Sequence, residues 1–163
     1  MGVLAAKQMG AERIIAMSRH ATRQALARQF GATDIVAERG AEGIARVKEL
    51  TGGIGAESVL ECVGMAASME QAMGVCRPGG TIGYVGVPHG VSFDGQQLFF
   101  AQHRMLGGPA PVRRFLPDLM DRVLKGTIQP GKVFDLTLPL AQVAEGYKAM
   151  DERRAIKTLL KVD

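Results

Sequence analysis

The sequence is poor in the features that mark several large functional classes. Tryptophan is absent, aromatic residues make up only 5% of the 163 positions, and 20 basic residues nearly balance 16 acidic ones. Nucleic-acid binding usually needs clustered lysine and arginine with aromatic residues on which bases stack, so we expect no nucleic-acid partner. No apolar run approaches the length of about 20 residues that spans a bilayer, and we predict neither a membrane span nor a secretion signal.

Cysteine is scarce as well, with Cys62 and Cys76 as the two in the chain. Both lie in apolar surroundings without C-x-x-C or Cys/His spacing, so we predict buried free thiols rather than a disulfide or a metal pair. Free thiols are typical of a reducing compartment, and the cytoplasm is the expected location. Zinc needs three or four ligands, and two separated cysteines with three scattered histidines predict no metal site here.

The chain does have a regular alternation of helical and strand patterns with glycine between them. An apolar content of 47% with 22% charged residues is typical of a globular domain, and residues 1–163 are treated as one domain. Strands that alternate with helices predict an α/β fold with an open, mostly parallel sheet and right-handed crossovers. The patterns predict strands within residues 13–17, 35–36, 58–64, 81–87, 104–106 and 157–162, and an extended segment over residues 132–140. They predict helices within residues 3–8, 21–30, 44–50, 115–124 and 143–150, with a further helix opened by Ser68.

Some local patterns carry more specific expectations. The run SVLECVG at residues 58–64 is almost continuously apolar, which is typical of a strand covered on both faces by helices. In SMEQ, Ser68 can cap a helix while Gln71 reaches back to it, which is a capping box. RPGG at residues 77–80 predicts a turn, and the methionines at positions 65, 69 and 73 have the spacing of core residues.

The order and spacing of five segments resemble a known family. The segments are AAKQMGAERIIAMSR, GATDIV, ELTGGIGAESVLECVG, CRPGGTIGYVGV and RRAIKTLLKV, and together they resemble the cofactor-binding half of the medium-chain, zinc-type alcohol dehydrogenases. The resemblance implies a partial dinucleotide-binding domain with a Rossmann-like, doubly wound sheet. It also implies that the full-length parent transfers hydride between NADP and an alcohol or carbonyl substrate.

The resemblance further implies that the family's first strand and its G-x-G-x-x-G turn lie outside these residues, as do the catalytic domain and its zinc ligands. We therefore expect an incomplete sheet and a chain that is inactive alone. In the strand order 3-2-1-4-5-6 the first strand is central, so its absence leaves the second and fourth strands each with an unpaired edge. We expect one of three repairs: the two edges come together, another chain supplies a strand, or a separate N-terminal polypeptide completes the sheet.

The resemblance assigns cofactor contacts to residues that follow the predicted strands. In the family the end of the second strand meets the adenosine ribose, where an acidic residue favours NAD. This sequence has Ser18, Arg19, His20 and Arg23 there, and guanidinium groups match phosphate oxygens well, so we expect NADP, with NAD as the alternative. Further cofactor contacts are expected from Cys62, Val63, Gly64, Val85, Gly86, Val87 and Leu106.

Several of these residues also have a plainer explanation. Residues 18–23 can be a solvated helix start in which His20 caps, and the strand-end glycines can serve tight turns without a ligand. We expect Glu61 to make a structural hydrogen bond rather than act as a general base, and His89 to face solvent or cap. Arg153 and Arg154 are expected to be ordinary surface charge.

Self-association is expected through the predicted edge strand near Arg104–Pro109, because dimers of the family join edge strands of their cofactor domains into one sheet. Two other functions stay open: a noncatalytic self-associating or nucleotide-binding module, and part of a zinc-independent quinone reductase of the same superfamily. A methyltransferase fits less well, because its second strand usually ends in an acidic residue that binds ribose hydroxyls, where this sequence has Ser18 and Arg19.

Overall fold

Helices and strands alternate along residues 1–162, the part of the chain that the computed structural model describes. The helices are α1 (Gly2–Gln8), α2 (Ala21–Gln29), α3 (Gly40–Leu50), α4 (Ala66–Val75), α5 (Gly95–Ala101), α6 (Val112–Leu124) and α7 (Val143–Asp151). The strands are β1 (Ile15–Met17), β2 (Asp34–Val36), β3 (Ala56–Glu61), β4 (Cys76–Tyr84), β5 (Arg104–Gly107), β6 (Leu136–Pro139) and β7 (Thr158–Lys161). The predicted alternation is confirmed.

Helix α5 is the element that apolar periodicity does not predict. A polar residue marks its start instead. The carboxylate of Asp94 accepts hydrogen bonds from the backbone N–H groups of Gln96 and Gln97 at 2.9 and 3.2 Å. An aspartate in this position satisfies donors that a helix start otherwise leaves without partners. The sequence signal for this short helix is therefore its N-cap residue and not a periodic apolar pattern.

In the part of the chain that the structure describes, all strand pairs are parallel and form three separate sheets. β1 pairs with β2, β4 lies between β3 and β5, and β6 pairs with β7. Parallel strands joined through helices make the Rossmann-like arrangement that the sequence predicts. Within residues 1–162, β1 has no strand partner besides β2, and β3 has none besides β4. The free edges of β1 and β3 therefore do not pair with each other, and the prediction that they come together is wrong. The other two repairs, a strand from another chain or a separate N-terminal polypeptide, stay predictions.

The core lies between the strands and helices α3 and α4. Ile82 in β4 and Val36 in β2 are both 0% exposed, as suits β-branched side chains on a pleated, covered surface. One buried cluster surrounds Ile82 and the other surrounds Val36. Their members are Ala72, Met73, Cys76 and Ile82 in the first, and Val36, Val47 and Val75 in the second.

The methionine and cysteine predictions hold only in part. Met69 and Met73 are buried on α4, and the thiol of Cys76 is buried as predicted. Met65 is exposed, so the prediction of a core role is wrong for this residue. The reason is its position at the N-cap of α4, one residue before the helix that packs against the core. Cys62 is free but exposed, because it follows the end of β3 rather than lying within the strand.

Strand β3 is less covered than its apolar sequence predicts. Glu61 is its one fully buried residue, and Leu60 is 53% exposed. The expectation of helices over both faces holds only in part: Val59 packs against buried residues of α4, whereas Leu60 stays half exposed. The physical reason is local: β3 pairs with β4 alone, so side chains near its other edge lack the neighbouring strand that would cover them.

Two turn and cap predictions are also corrected. Helix α4 begins at Ala66, which places Ser68 in its first turn rather than at the cap. The Ser68 hydroxyl accepts from the Met65 N–H at 3.2 Å and donates to the Met65 carbonyl at 2.8 Å, while the buried Gln71 amide points to the Met17 sulfur at 3.3 Å. Residues 77–80 are not a turn between elements but an irregular part of β4, inserted between the pairs Ala56 with Cys76 and Ser58 with Thr81.

Helix α6 is amphipathic as predicted, but its apolar side chains stay exposed. None of its residues is buried, and the exposed apolar group includes Phe115, Leu119 and Leu124. Arg122 joins the helix to α1 by a hydrogen bond from its Nη1 to the Gln8 side-chain oxygen at 3.2 Å. No helix in residues 1–162 has both the length and the apolar character needed to cross a membrane.

The core position of Ile82 gives a stability prediction. Ile82→Ala leaves a cavity in the first cluster, and we expect it to lower the free energy of unfolding by about 2–5 kcal/mol. Leu124→Ala is the control, because Leu124 is exposed on α6 and surface substitutions usually change stability by less than about 0.5 kcal/mol. Urea unfolding followed by circular dichroism measures both. Equal midpoints for the two variants would contradict the assigned core.

Candidate functional site

The predicted site residues lie at the carboxyl ends of four strands. Ser18 comes directly after β1, Cys62 after β3 and Val85 after β4, while Leu106 lies within β5. Ligands of open α/β sheets bind at this edge, outside the carboxyl ends of the strands. The structure brings these residues into two groups, one at the β3–β5 end and one at the β1–β2 end.

At the β3–β5 end, a buried carboxylate organises the loops. Glu61 accepts hydrogen bonds from the backbone N–H groups of Val63 at 2.8 Å and Gly64 at 3.0 and 3.1 Å. Its backbone carbonyl accepts from the N–H of Val85 at 2.7 Å. Glu61 thus stabilises the loop after β3 and ties it to the loop after β4, which confirms the structural hydrogen bond that the sequence predicts.

Gly64 and Gly86 bring these two loops into backbone contact. Gly64 has φ of +82°, and a β-carbon there would lie 2.3 Å from the carbonyl oxygen of Val87. A β-carbon on Gly86 would lie 2.3 Å from the nitrogen of Gly64. Loop packing by itself therefore requires both glycines, and their presence does not depend on a ligand.

The outer surface of this loop pair is apolar and open. Val63 is 61% exposed, Val85 and Val87 are 69% exposed, and Cys62 is exposed beside them. Leu106, also exposed, pairs with Gly83 near the end of β4, so it stands at the edge of the same group. The structure therefore brings the predicted residues 62–64, 85–87 and Leu106 to one end of the sheet.

The Cys62 thiol and His89 have modest roles in this group. Desolvation of the sulfur raises the pKa of the Cys62 thiol, and the negative charge of the neighbouring Glu61 adds to this effect. The positive charge of the N-terminal ammonium lowers the pKa by a smaller amount. The thiol is therefore protonated at neutral pH and is not a reactive thiolate. His89 is exposed as predicted, and its backbone N–H donates to the Gly64 carbonyl at 3.1 Å.

At the β1–β2 end, Ser18 continues the sheet and starts the turn into α2. Its N–H donates to the Val36 carbonyl at 3.0 Å, and its hydroxyl accepts from the His20 N–H at 3.3 Å. The side-chain amide of Gln24 donates to the Ser18 carbonyl at 2.6 Å. His20 occupies the N-cap of α2 but its ring makes no capping hydrogen bond, so the capping explanation for its side chain is wrong.

Several positive charges act on the His20 side chain. Partial burial of the imidazole, followed by the charges of Arg23, Arg19, Arg153 and Arg39, lowers the pKa of His20 below its ordinary value. Arg19 and Arg23 are predicted site residues, whereas Arg39 and Arg153 are additions from the structure. Arg39 follows β2, the partner of β1, so strand pairing is a sequence signal that can find it. No local pattern connects Arg153 to this end of the sheet.

A cavity of about 190 Å³ lies away from both groups. Its lining includes Lys48, Cys76 and His103, and none of the predicted cofactor residues belongs to it. Both ring nitrogens of His103 are buried without a hydrogen-bond partner among the described residues. The cavity therefore offers no support to the predicted cofactor contacts.

Comparisons with known proteins identify the fold and the family. The sequence pattern of the family described as "Zinc-binding dehydrogenase" matches residues 1–124. Zinc-type alcohol dehydrogenase B of Aspergillus flavus is 33% identical over 150 residues, which are 91% of this chain and 35% of that protein. L-threonine 3-dehydrogenase of Bacillus licheniformis is 28% identical over 163 aligned residues, covering 98% of this chain and 47% of that protein.

A solved structure agrees with these sequence matches. The alcohol dehydrogenase TADH from Thermus sp. ATN1 superposes with a TM-score of 0.89 and 31% identity, covering 99% of this chain and 48% of that one. The chain thus spans between about a third and a half of the length of the relatives it matches.

The hydrogen bonds of Glu61 give a second stability prediction. Glu61→Gln removes the negative charge and one acceptor oxygen opposite buried N–H donors, so we expect a loss of about 1–3 kcal/mol in the free energy of unfolding. Glu57→Gln on the same strand is the matched control, because Glu57 is exposed and its contact with Arg77 is 3.6 Å long. Its expected effect is below about 1 kcal/mol. A Glu61 variant as stable as the Glu57 variant in urea would refute the structural role of this carboxylate.

Proposed function

Because the chain belongs to the zinc-binding dehydrogenase family, we propose that it is the cofactor-binding part of an oxidoreductase that transfers hydride between NADP and an alcohol or carbonyl substrate. The observation that carries the choice of cofactor is the end of β1, where Ser18, Arg19 and His20 stand in place of an acidic residue. The choice of substrate class comes from relatives that are named alcohol and threonine dehydrogenases.

The loops after β3 and β4 suit the nicotinamide end of a dinucleotide. Exposed Val63, Val85 and Val87 offer apolar surface to a planar ring, and the backbone contact at Gly64 and Gly86 leaves that surface without bulky side chains in the turns. When bound, the nicotinamide supplies the carbon that accepts or donates hydride. The residues of this chain would hold the ring through this apolar surface.

The β1–β2 end suits the adenosine end of NADP rather than NAD. NAD recognition commonly uses an acidic side chain on the ribose 2′-hydroxyl, whereas a 2′-phosphate needs cationic donors. Arg19 and Arg23 provide guanidinium groups, and the field on His20 is positive. A carboxylate at the end of β1 would repel the 2′-phosphate, and the sequence has none there.

Zinc does not fit the residues of this chain. Within residues 1–162, no three His, Cys, Asp or Glu side chains lie close enough to hold a metal ion together, and zinc needs three or four such ligands. No step of the proposed function is therefore assigned through a metal. We expect the chain alone to bind cofactor without catalysing hydride transfer, because we assign no catalytic residue within it.

The cytoplasm belongs to the same proposal. Cys62 and Cys76 are both free, and Cys62 is exposed. An exposed free thiol suits a reducing compartment, because oxidising compartments favour its pairing with another thiol.

The proposal predicts a cofactor preference. We expect the chain to bind NADPH at least about tenfold more tightly than NADH in calorimetry, because hydrogen bonds to charged groups contribute about 1.5–3 kcal/mol each. Arg19→Asp places a carboxylate beside the ribose and should reverse the preference. Arg28→Gln is the control, since Arg28 lies near the other end of α2, where it acts on Asp34, and its removal should leave the preference unchanged.

Equal affinities of the unmodified chain for NADPH and NADH would overturn the choice of NADP. Binding of neither cofactor, in a chain whose thermal unfolding is cooperative, would count against cofactor binding by these residues alone and favour an assembly role.

Self-association through β5 is a further part of the proposal. β5 pairs with β4 on one side, and its other edge has no strand partner within residues 1–162. Leu106 is exposed on it. Exposed edge strands with apolar side chains tend to pair with another strand, so two copies can extend the β3–β4–β5 sheet across a twofold axis at Arg104–Gly107.

Sedimentation equilibrium tests this pairing. We expect a dimer at micromolar concentration, and we expect Leu106→Lys to shift it to monomer because two added charges meet across the twofold axis. Leu124→Lys adds the same charge at an exposed position of α6 and should leave the dimer intact. A monomer in the unmodified chain would contradict edge pairing.

A further inference from the structure

The cavity of about 190 Å³ lies at the edge of the sheet opposite to the predicted cofactor contacts. Among the residues that line it, His103 directly precedes β5, Cys76 is the first residue of β4, and Ile54 lies two residues before β3. Because these strands are parallel, their amino ends share one edge, whereas residues 62–64 and 85–87 follow the carboxyl ends. The cavity is therefore separate from the candidate cofactor site.

The cavity has an apolar inner wall and a polar side that meets solvent. Met73 and Cys76 line it and belong to the buried cluster around Ile82. Lys48 on α3 and Gln97 on α5 also line it, and both are exposed. No acidic residue is found among the described residues of the lining. The site thus joins an apolar surface to groups that donate hydrogen bonds.

His103 is the residue of this wall whose polar atoms lack partners. Helix α5 ends at Ala101, and Gln102, with φ of +52°, turns the chain so that His103 leads into β5. Both ring nitrogens are buried without a hydrogen-bond partner among the described residues. Buried polar groups are nearly always paired, because one that loses water without gaining a partner costs stability. A turn of the ring that brings a nitrogen to a polar partner in the cavity is therefore favourable.

Three side chains from separate elements bring donors to the cavity. The Lys48 ammonium, the Gln97 amide and the His103 imidazole each carry N–H groups. Lys48 forms no ion pair with an acidic side chain in the part of the chain that the structure describes. An ionised carboxylate only accepts hydrogen bonds, and it accepts the stronger ones from charged donors. A carboxylate is the group that this set of donors suits.

We propose that this cavity binds a small monocarboxylate with an apolar body. The carboxylate accepts from Lys48, Gln97 and a turned His103 ring, while the body lies against Met73 and Ala101. A cavity of about 150 Å³ in another protein holds benzene, so this cavity has room for one ring or a short chain beside the carboxylate. The site needs neither a dinucleotide nor a metal, and it goes beyond the proposed oxidoreductase function.

The test uses benzoate and benzyl alcohol, which share the ring and differ in charge. Both are titrated into the 163-residue chain at matched, low ionic strength, where screening of exposed charges is weak, and NMR follows binding. We expect benzoate to bind about fivefold or more tightly than benzyl alcohol, because charge-assisted hydrogen bonds are stronger than neutral ones. Nuclear Overhauser effects between the benzoate ring and the Met73 methyl group are expected, and they locate the ligand.

Two variants test the charge and the cavity. Lys48→Gln should weaken benzoate about fivefold and leave benzyl alcohol nearly unchanged. Lys132→Gln removes the same charge at an exposed residue outside the lining and should change neither ligand. Ala101→Leu fills part of the cavity and should abolish the contacts of benzoate with Met73. The Lys48 comparison does not depend on whether the Ala101 variant folds, since Lys48 is exposed.

His103→Phe separates binding from folding. It keeps a planar ring and removes both unpaired nitrogens, so we expect a melting temperature equal to or above that of the unmodified chain. We expect its affinity for benzoate to fall about threefold or more, because one donor to the carboxylate is lost. A purely structural histidine would not give weaker binding together with unchanged or higher stability.

The remaining outcomes overturn the proposal at defined points. Absence of benzoate binding, or binding without contact to Met73, removes the site altogether. If benzyl alcohol binds as tightly as benzoate, or if Lys48→Gln leaves benzoate unaffected, the cavity is an apolar one and the assignment to carboxylates is wrong. Unchanged benzoate affinity in His103→Phe refutes the part assigned to His103. None of these measurements involves a nucleotide, so the NADP proposal stands or fails separately.

Discussion

The parallel register of β3 against β4 is the constraint on which one end of the candidate site depends. Glu61 pairs with Tyr84, so both strands end at the same level and their loops begin side by side. That alignment lets the Val85 N–H reach the Glu61 carbonyl and brings Gly64 against Gly86. A shift of one residue would turn the Glu61 side chain to the opposite face of the sheet. The buried carboxylate, the two glycines and the exposed valines are thus consequences of one pairing.

Electrostatics characterises the other end of the candidate site. Some arginines of the chain pair with acids, for example Arg13 with Asp34 at 3.0 Å and Arg122 with Asp118 at 2.9 Å. Exposed pairs of this kind contribute little to stability, but they neutralise charge locally. Around His20 the neutralising acids are missing, and the field is positive. Charge that the protein does not neutralise itself is available to an anionic ligand.

The sequence predicts the order of elements well because each strand and most helices carry their own apolar period. It predicts burial less well, because burial depends on neighbours: Leu60 looks like a core residue in SVLECVG, yet β3 has a strand on one side only. The same holds for caps, since the start of α4 at Ala66 moves Ser68 from the cap into the first turn. Residues 18–23 are accessible to prediction because they follow a strand directly. Arg153 is not, because its effect on the pKa of His20 depends on tertiary structure alone.

The two ends of the candidate site differ in what they need from their surroundings. Exposed guanidinium groups can bind a phosphate in contact with water, so the proposed role of the end at His20 does not require exclusion of solvent. Hydride transfer gains from a site that excludes water and places the reacting atoms closely, and Val63, Val85 and Val87 are open to solvent. Under the proposed function, a second surface therefore has to cover these valines before the loops after β3 and β4 can support hydride transfer. The proposal thus separates cofactor selection from catalysis: selection depends on the charged end, whereas catalysis depends on what packs against the apolar end.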